Sequence, residues 1–202
     1  IEAIRGLMRA SSQPAIIDGM DAGKISRGTL LAAALALSAY IRKHCPERRI
    51  AIVLPPGKGA AIANLAVVLA NKIPVNLNFT ASADAIKAAL RIAEIQQAIT
   101  AEAFKEKFPA FPWPDSLLFV EKILPRLFPK IVTWKVLCAA LPASAVAWIA
   151  RTPTQGDRDE AIILFTSGSS GDPKGVVLSH RNILGNVDQF STMLGLRPES
   201  RI

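Results

Sequence analysis

Arg49-Ile50-Ala51-Ile52-Val53-Leu54 is an unbroken apolar, β-branched run closed by Pro55-Pro56-Gly57, and Ile73-Pro74-Val75-Asn76-Leu77 is a second such run further along. Runs that are continuously apolar, not alternating, predict strands buried on both faces. Between them, Ile62, Leu65 and Leu69 fall on one side of a helix. Strand, helix and strand at this spacing predict a right-handed parallel crossover.

The pattern continues towards the C-terminus. A helix capped near Ser82 carries Ile86, Ala89, Leu90 and Ala93, and a short strand follows at Gln97-Ala98-Ile99-Thr100. A helix from Ala101 to Phe108, a proline-rich joint over 109–114 and a strand Leu117-Leu118-Phe119-Val120 come next. Alternating elements of this kind predict an α/β fold with a largely parallel sheet and flanking helices. Towards the N-terminus, Ala15-Ile16-Ile17-Asp18 and the turn over 19–23 read as a short hairpin. A helix then opens at Ser26, places Leu30, Ala34, Leu37 and Ile41 on one face, and ends by Pro46.

Composition bounds the function. The chain has 202 residues, half of them apolar and 20% charged, so a folded core is expected and disorder is not. Lys and Arg outnumber Asp and Glu by 24 to 16. That excess favours anionic partners: nucleotide phosphates, acidic carrier proteins or lipid head groups. Nucleic acid is disfavoured, because the basic residues are scattered and not interleaved with aromatics. Cys45 and Cys138 are far apart and lack metal-ligand spacing, so two reduced thiols are expected. Residues 131–150 are almost wholly apolar and flanked by Arg126, Lys130 and Arg151, which is long enough for a membrane span. The interior Lys135 and Pro142 argue instead for a core helix or an interfacial helix pair.

Ala161-Ile162-Ile163-Leu164-Phe165 reads as a buried strand that runs into Thr166-Ser167-Gly168-Ser169-Ser170-Gly171-Asp172-Pro173-Lys174-Gly175. Glycines let a backbone approach phosphate oxygens, and successive N–H groups form an anion-binding concavity. Thr166, Ser167, Ser169 and Ser170 add four hydroxyls, and Lys174 adds a positive charge whose approach Pro173 stiffens. An ordinary turn between strands needs two to five residues and no such hydroxyl cluster. A Walker loop places its Lys at a helix N-terminus, whereas Lys174 leads into the strand Val176-Val177-Leu178. Ser179 then caps a helix with Ile183, Val187, Phe190 and Leu194 on one face.

The string from Phe165 to Gly175, with its continuation Val176-Val177-Leu178-Ser179-His180-Arg181-Asn182-Ile183, resembles the signature of the adenylate-forming superfamily. Pro74-Val75-Asn76-Leu77-Asn78-Phe79-Thr80 and the apolar segment over 125–150 resemble the acyl–acyl carrier protein synthetase and 2-acylglycerophosphoethanolamine acyltransferase branch. The resemblance implies the N-terminal part of that enzyme fold, with 1–150 as a first α/β subdomain and 151–202 as the phosphate-loop unit. It also implies a two-step ligase. A carboxylate, such as a fatty acid, attacks ATP to give an acyl-adenylate and pyrophosphate, and a CoA or carrier-protein thiol then takes the acyl group. By that resemblance Thr166, Ser167, Gly168, Ser169, Ser170, Gly171 and Lys174 bind ATP, Thr166 touches Mg²⁺ and Lys174 is catalytic. The family's adenine, ribose and C-terminal lysine residues have no equivalents before Ile202. The chain is therefore expected to be a segment of a longer, cytoplasmic ligase, inactive alone, with peripheral membrane contact as an open expectation. The alternative is a non-catalytic nucleotide- or acyl-binding module with a relic loop.

Three features carry less. Gly57-Lys58-Gly59 lacks Walker spacing and reads as a surface turn. His44 and His180 read as a helix-end and a first-turn residue. Asp157, Asp159 and Glu160 read as a solvated acidic loop.

Overall fold

The computed structural model describes residues 1–18, 23–153, 156–166 and 173–195. After helix α1 (Glu2–Met8), strands β1 (Pro14–Ile17) and β2 (Lys24–Ser26) pair antiparallel as the expected small hairpin. Helix α2 (Arg27–His44) starts on Ser26, whose side chain accepts from Thr29 N, and stops two residues before Pro46.

The main sheet is built by β3 (Arg49–Ile52), β4 (Ile73–Asn76), β5 (Gln97–Thr100), β6 (Ser116–Phe119), β7 (Glu160–Thr166) and β8 (Lys174–Ser179). Their spatial order is β6-β5-β3-β4-β7-β8. All neighbours are parallel except the edge strand β8, which runs antiparallel to β7. Helices α3 (Lys58–Leu69) and α4 (Ala83–Ile92) follow β3 and β4. Helix α5 (Glu102–Lys107) follows β5, and α6 (Val120–Arg126), α7 (Phe128–Ala140) and α8 (Ala143–Ile149) follow β6. Helix α9 (His180–Met193) follows β8.

Strand periodicity divides the core in two. Ile50, Ile52, Ile99 and Leu118 point to one face and pack with α2, α3 and the α6–α8 helices. Ala51, Val53, Val75, Ala98 and Ile163 point to the other and pack with Ile86 and Ala89 of α4. Both faces are covered, which is why the strands read as continuous apolar runs.

Helix α2 buries the expected Leu30, Ala34, Leu37 and Ile41, and every residue from Leu30 to Ser38 as well, because α1, α3, α7 and the β1–β2 hairpin pack around it. Its many alanines allow that close approach, and a helix apolar on all sides belongs inside. In α3 the buried face is Ile62, Ala63, Ala66, Val67 and Leu69, with Leu65 only partly covered.

Residues 131–150 form the helix pair, not a single rod. Leu141 has an extended backbone and Pro142 caps α8, so the chain breaks where Pro142 predicts. Among the described residues, no helix is long and apolar enough to cross a membrane.

Candidate functional site

Strand β7 runs parallel beside β4, with Val75 opposite Ile163 and Asn76 opposite Leu164. Thr166 therefore lies two residues beyond the end of β4, at the carboxyl edge of the parallel strands. That edge is where α/β sheets hold ligands.

Across the β7–β8 ladder, Thr166 is the direct partner of Lys174, and Phe165 of Gly175. Direct partners project to the same face. The Thr166 hydroxyl and the Lys174 ammonium thus share a face at the mouth of the loop, and both residues are exposed. Below them on that face is the Leu164–Val176 pair, also exposed despite being apolar. Pro173, just ahead of Lys174, is buried, consistent with a fixed approach to the lysine. Among the described residues none forms an ion pair with Lys174. The sequence-predicted Ser167, Gly168, Ser169, Ser170 and Gly171, with Asp172, lie outside the described residues.

The lysine's neighbour Gly175 has a packing role. A Cβ there would stand 3.2 Å from the Phe165 ring and 3.4 Å from Ile163 Cγ2. The ring, part of the second core, fills the space over the glycine and locks the two strands in register.

The opposite end of β7 is anchored by a pair that sequence reasoning missed. Glu160 is the first residue of β7, not part of a solvated loop. Its carboxylate accepts from Arg49 Nε at 3.1 Å and Nη2 at 3.3 Å, a bidentate contact, with Arg48 at 3.9 Å. The partners are 111 positions apart, so no local signal could announce them.

The preceding acidic residues also have a structural task. Asp157 and Asp159 offer their backbone carbonyls to Arg181 N and His180 N, donors that the first turn of α9 leaves unpaired. Ser179 and Asn182 complete that helix end as a reciprocal capping box. His180 is the first residue of α9, as expected, and His44 ends α2 stacked on Tyr40. Val187 and Phe190 on α9, and Leu194 just after it, are exposed.

The turn after β4 is ordered by polar side chains at the same sheet edge. Asn64 and Asn76 exchange amide hydrogen bonds at 3.1 and 2.8 Å, and Asn78 Oδ1 accepts from Thr80 N and Oγ1. Gly57-Lys58-Gly59, by contrast, is no anion site: the Asp18 carboxylate accepts from Lys58 N at 3.1 Å and fills the start of α3.

Against known proteins, residues 7–202 match the family described as AMP-binding enzyme. The chain belongs to the AMP-binding enzyme family. It is similar to the nonribosomal peptide synthetase easA of Emericella nidulans, 30% identical over 183 residues that make up 89% of this chain and 2% of that one. Its fold matches the crystal structure of VinN with a TM-score of 0.74 at 18% identity, covering 98% of this chain and 50% of that one. It also matches the fatty acyl-adenylate ligase from L. pneumophila solved with acyl adenylate and pyrophosphate, with a TM-score of 0.66 at 21% identity, covering 88% of this chain and 29% of that one. The chain thus spans about half the length of VinN and a small fraction of the peptide synthetase. Both structural matches bear out the α/β fold with a mostly parallel sheet that the sequence predicts.

Proposed function

We propose that the protein is an ATP-dependent ligase that converts a carboxylic acid to its acyl-adenylate and passes the acyl group to a thiol. In this reading the chain supplies the phosphate-gripping part of the ATP site. The observation that carries the proposal is the Thr166–Lys174 pair, in register at the carboxyl edge of the sheet and bracketing a Ser- and Gly-rich loop.

In the reaction a carboxylate oxygen forms a bond to the α-phosphorus while the bond to pyrophosphate breaks, so negative charge grows on the leaving group. In this reading Lys174 supplies the positive charge that stabilises that charge, and the glycines and hydroxyl residues of the sequence Ser167-Gly168-Ser169-Ser170-Gly171 suit an anion-binding loop. Mg²⁺, when bound, shields the triphosphate charge. Thr166 offers it a hard oxygen ligand of the right kind, since Mg²⁺ is usually held by one or two protein oxygens plus substrate phosphates.

The narrower reading is a fatty acid as substrate and a CoA or carrier-protein thiol as acceptor. It is supported by the Pro74–Thr80 segment, by the apolar 125–150 region and by likeness to a fatty acyl-adenylate ligase. A second reading, an amino acid as substrate, is favoured by the peptide synthetase relative. Carboxylate-dependent exchange of pyrophosphate into ATP, run on the full-length protein with panels of fatty acids and amino acids, separates them. Exchange with fatty acids alone supports the first, and exchange with amino acids alone replaces it by the second. ATP binding without exchange on any acid would leave the non-catalytic module.

A further inference from the structure

Helix α7 has a face that the fold does not use. Its inner side, with Ile131, Trp134 and Cys138, packs onto the first core. At about 100° per residue, the outer side is an arc of roughly 140° containing Phe128, Pro129, Val132, Thr133, Val136, Ala139 and Ala140. All seven are exposed, Phe128 by 65%, Val132 by 45% and Val136 by 62%. An outward arc without a charged residue is unusual on a water-facing helix.

The arc has almost no capacity for directional bonding. Its one hydroxyl, on Thr133, donates inward to Pro129 O at 3.0 Å, and Pro129 has no N–H. A protein partner of ordinary kind would need about one hydrogen bond per 100–200 Å² of contact. Acyl chains need none.

The sequence stretch that carries α7 and α8 has one sign of charge. From Lys122 to Gly156 the chain contains no Asp or Glu but has Lys122, Arg126, Lys130, Lys135 and Arg151. Lys135 projects beside one edge of the arc, next to Phe128, and Lys130 leaves the exposed first turn of α7 about 60° beyond the other edge; long side chains of this kind can reach head groups while their stems lie along apolar surface. The adjacent helix α8 exposes Trp148 by 81%.

We propose that the outer face of α7 lies on an anionic lipid surface, as an interfacial anchor and not a span. The helix is 13 residues, about 20 Å, enough to lie in the head-group boundary and too short to cross it. The inference does not rest on the ligase reading, because α7 contributes no residue to the phosphate-loop hairpin.

The test is vesicle co-sedimentation of the full-length protein, with the pyrophosphate exchange assay run in parallel. Wild-type protein should pellet with vesicles of phosphatidylcholine mixed with phosphatidylglycerol. The exposed-site double variant Val132→Asp/Val136→Asp should bind at least tenfold more weakly, with an unchanged circular dichroism spectrum and unchanged exchange activity. Lys130→Glu/Lys135→Glu should lose about tenfold or more on the same vesicles. Wild-type protein that stays in the supernatant would overturn the proposal, as would the aspartate variant pelleting like wild type. A face whose substitution abolishes only self-association, or only capture by an acidic carrier protein, would overturn it in favour of that partner.

Discussion

Replacing Glu160 by glutamine keeps the side-chain shape and removes the charge that holds Arg49. Two hydrogen bonds to a charged group, at 3.1 and 3.3 Å, are at stake. The Arg49 and Glu160 side chains are 28% and 13% exposed, so the pair is neither a surface bridge nor a fully buried one. Surface pairs contribute about 0–1 kcal/mol. Breaking a buried pair costs about 3–5 kcal/mol, because the remaining charge is stranded. Arg49 keeps a distant partner in Glu94 at 4.0 Å, which relieves part of the loss. The expected destabilisation is therefore about 2 kcal/mol, or roughly 1 M in urea midpoint if the slope is about 2 kcal/mol per M. A double-mutant cycle with Arg49→Met should return a coupling of about 1.5 kcal/mol. Urea unfolding followed by circular dichroism measures both. A coupling below about 0.5 kcal/mol would refute the claim that this pair anchors β7, since that is the range of an exposed contact.

Three further outcomes are expected. Ser179→Ala removes one half of the capping box of α9 and should cost about 1 kcal/mol, read from the same unfolding curves, with Ser179→Asn close to neutral. Gly57→Ala should cost more than about 1 kcal/mol, because Gly57 has φ +153° and a Cβ would stand 2.6 Å from Asp18 Oδ2; fast exchange of the Lys58 amide would report the lost contact. Burial pushes the Cys45 thiol above its ordinary range, against a smaller opposite pull from Lys72. The unfolded chain therefore ionises Cys45 first as pH rises, so stability from this group is full below the unfolded thiol's pKa and is lost above it. Cys45→Ala should flatten the alkaline slope of unfolding free energy, and an unchanged slope would contradict the assignment.

The fold was legible where physics is local. The strand at Gln97–Thr100, the cap at Ser82, the stop before Pro46 and the break at Pro142 each depend on residues within one turn of the chain. Contacts between distant segments were not legible. The Arg49–Glu160 pair and the Asp18 carboxylate at Lys58 join positions 111 and 40 apart, and nothing near Glu160 distinguishes it from the solvated Asp157 and Asp159. Periodicity marked the face of α2 that is buried, but alanine elsewhere on the helix does not reveal how many neighbours surround it. At the site, the sequence supplied Thr166 and Lys174 and the strand that the lysine enters. Their direct cross-strand pairing and the Phe165 ring over Gly175 follow only from the register.

The central claim is that Lys174, opposite Thr166 at the open end of the β7–β8 hairpin, stabilises departing pyrophosphate. Carboxylate-dependent exchange of pyrophosphate into ATP by the full-length protein, compared between wild type and Lys174→Ala, tests it most directly. If the lysine acts in the transition state, the exchange rate should fall by about 10²-fold or more at saturating ATP. Exchange at the wild-type rate in the alanine variant would contradict the account.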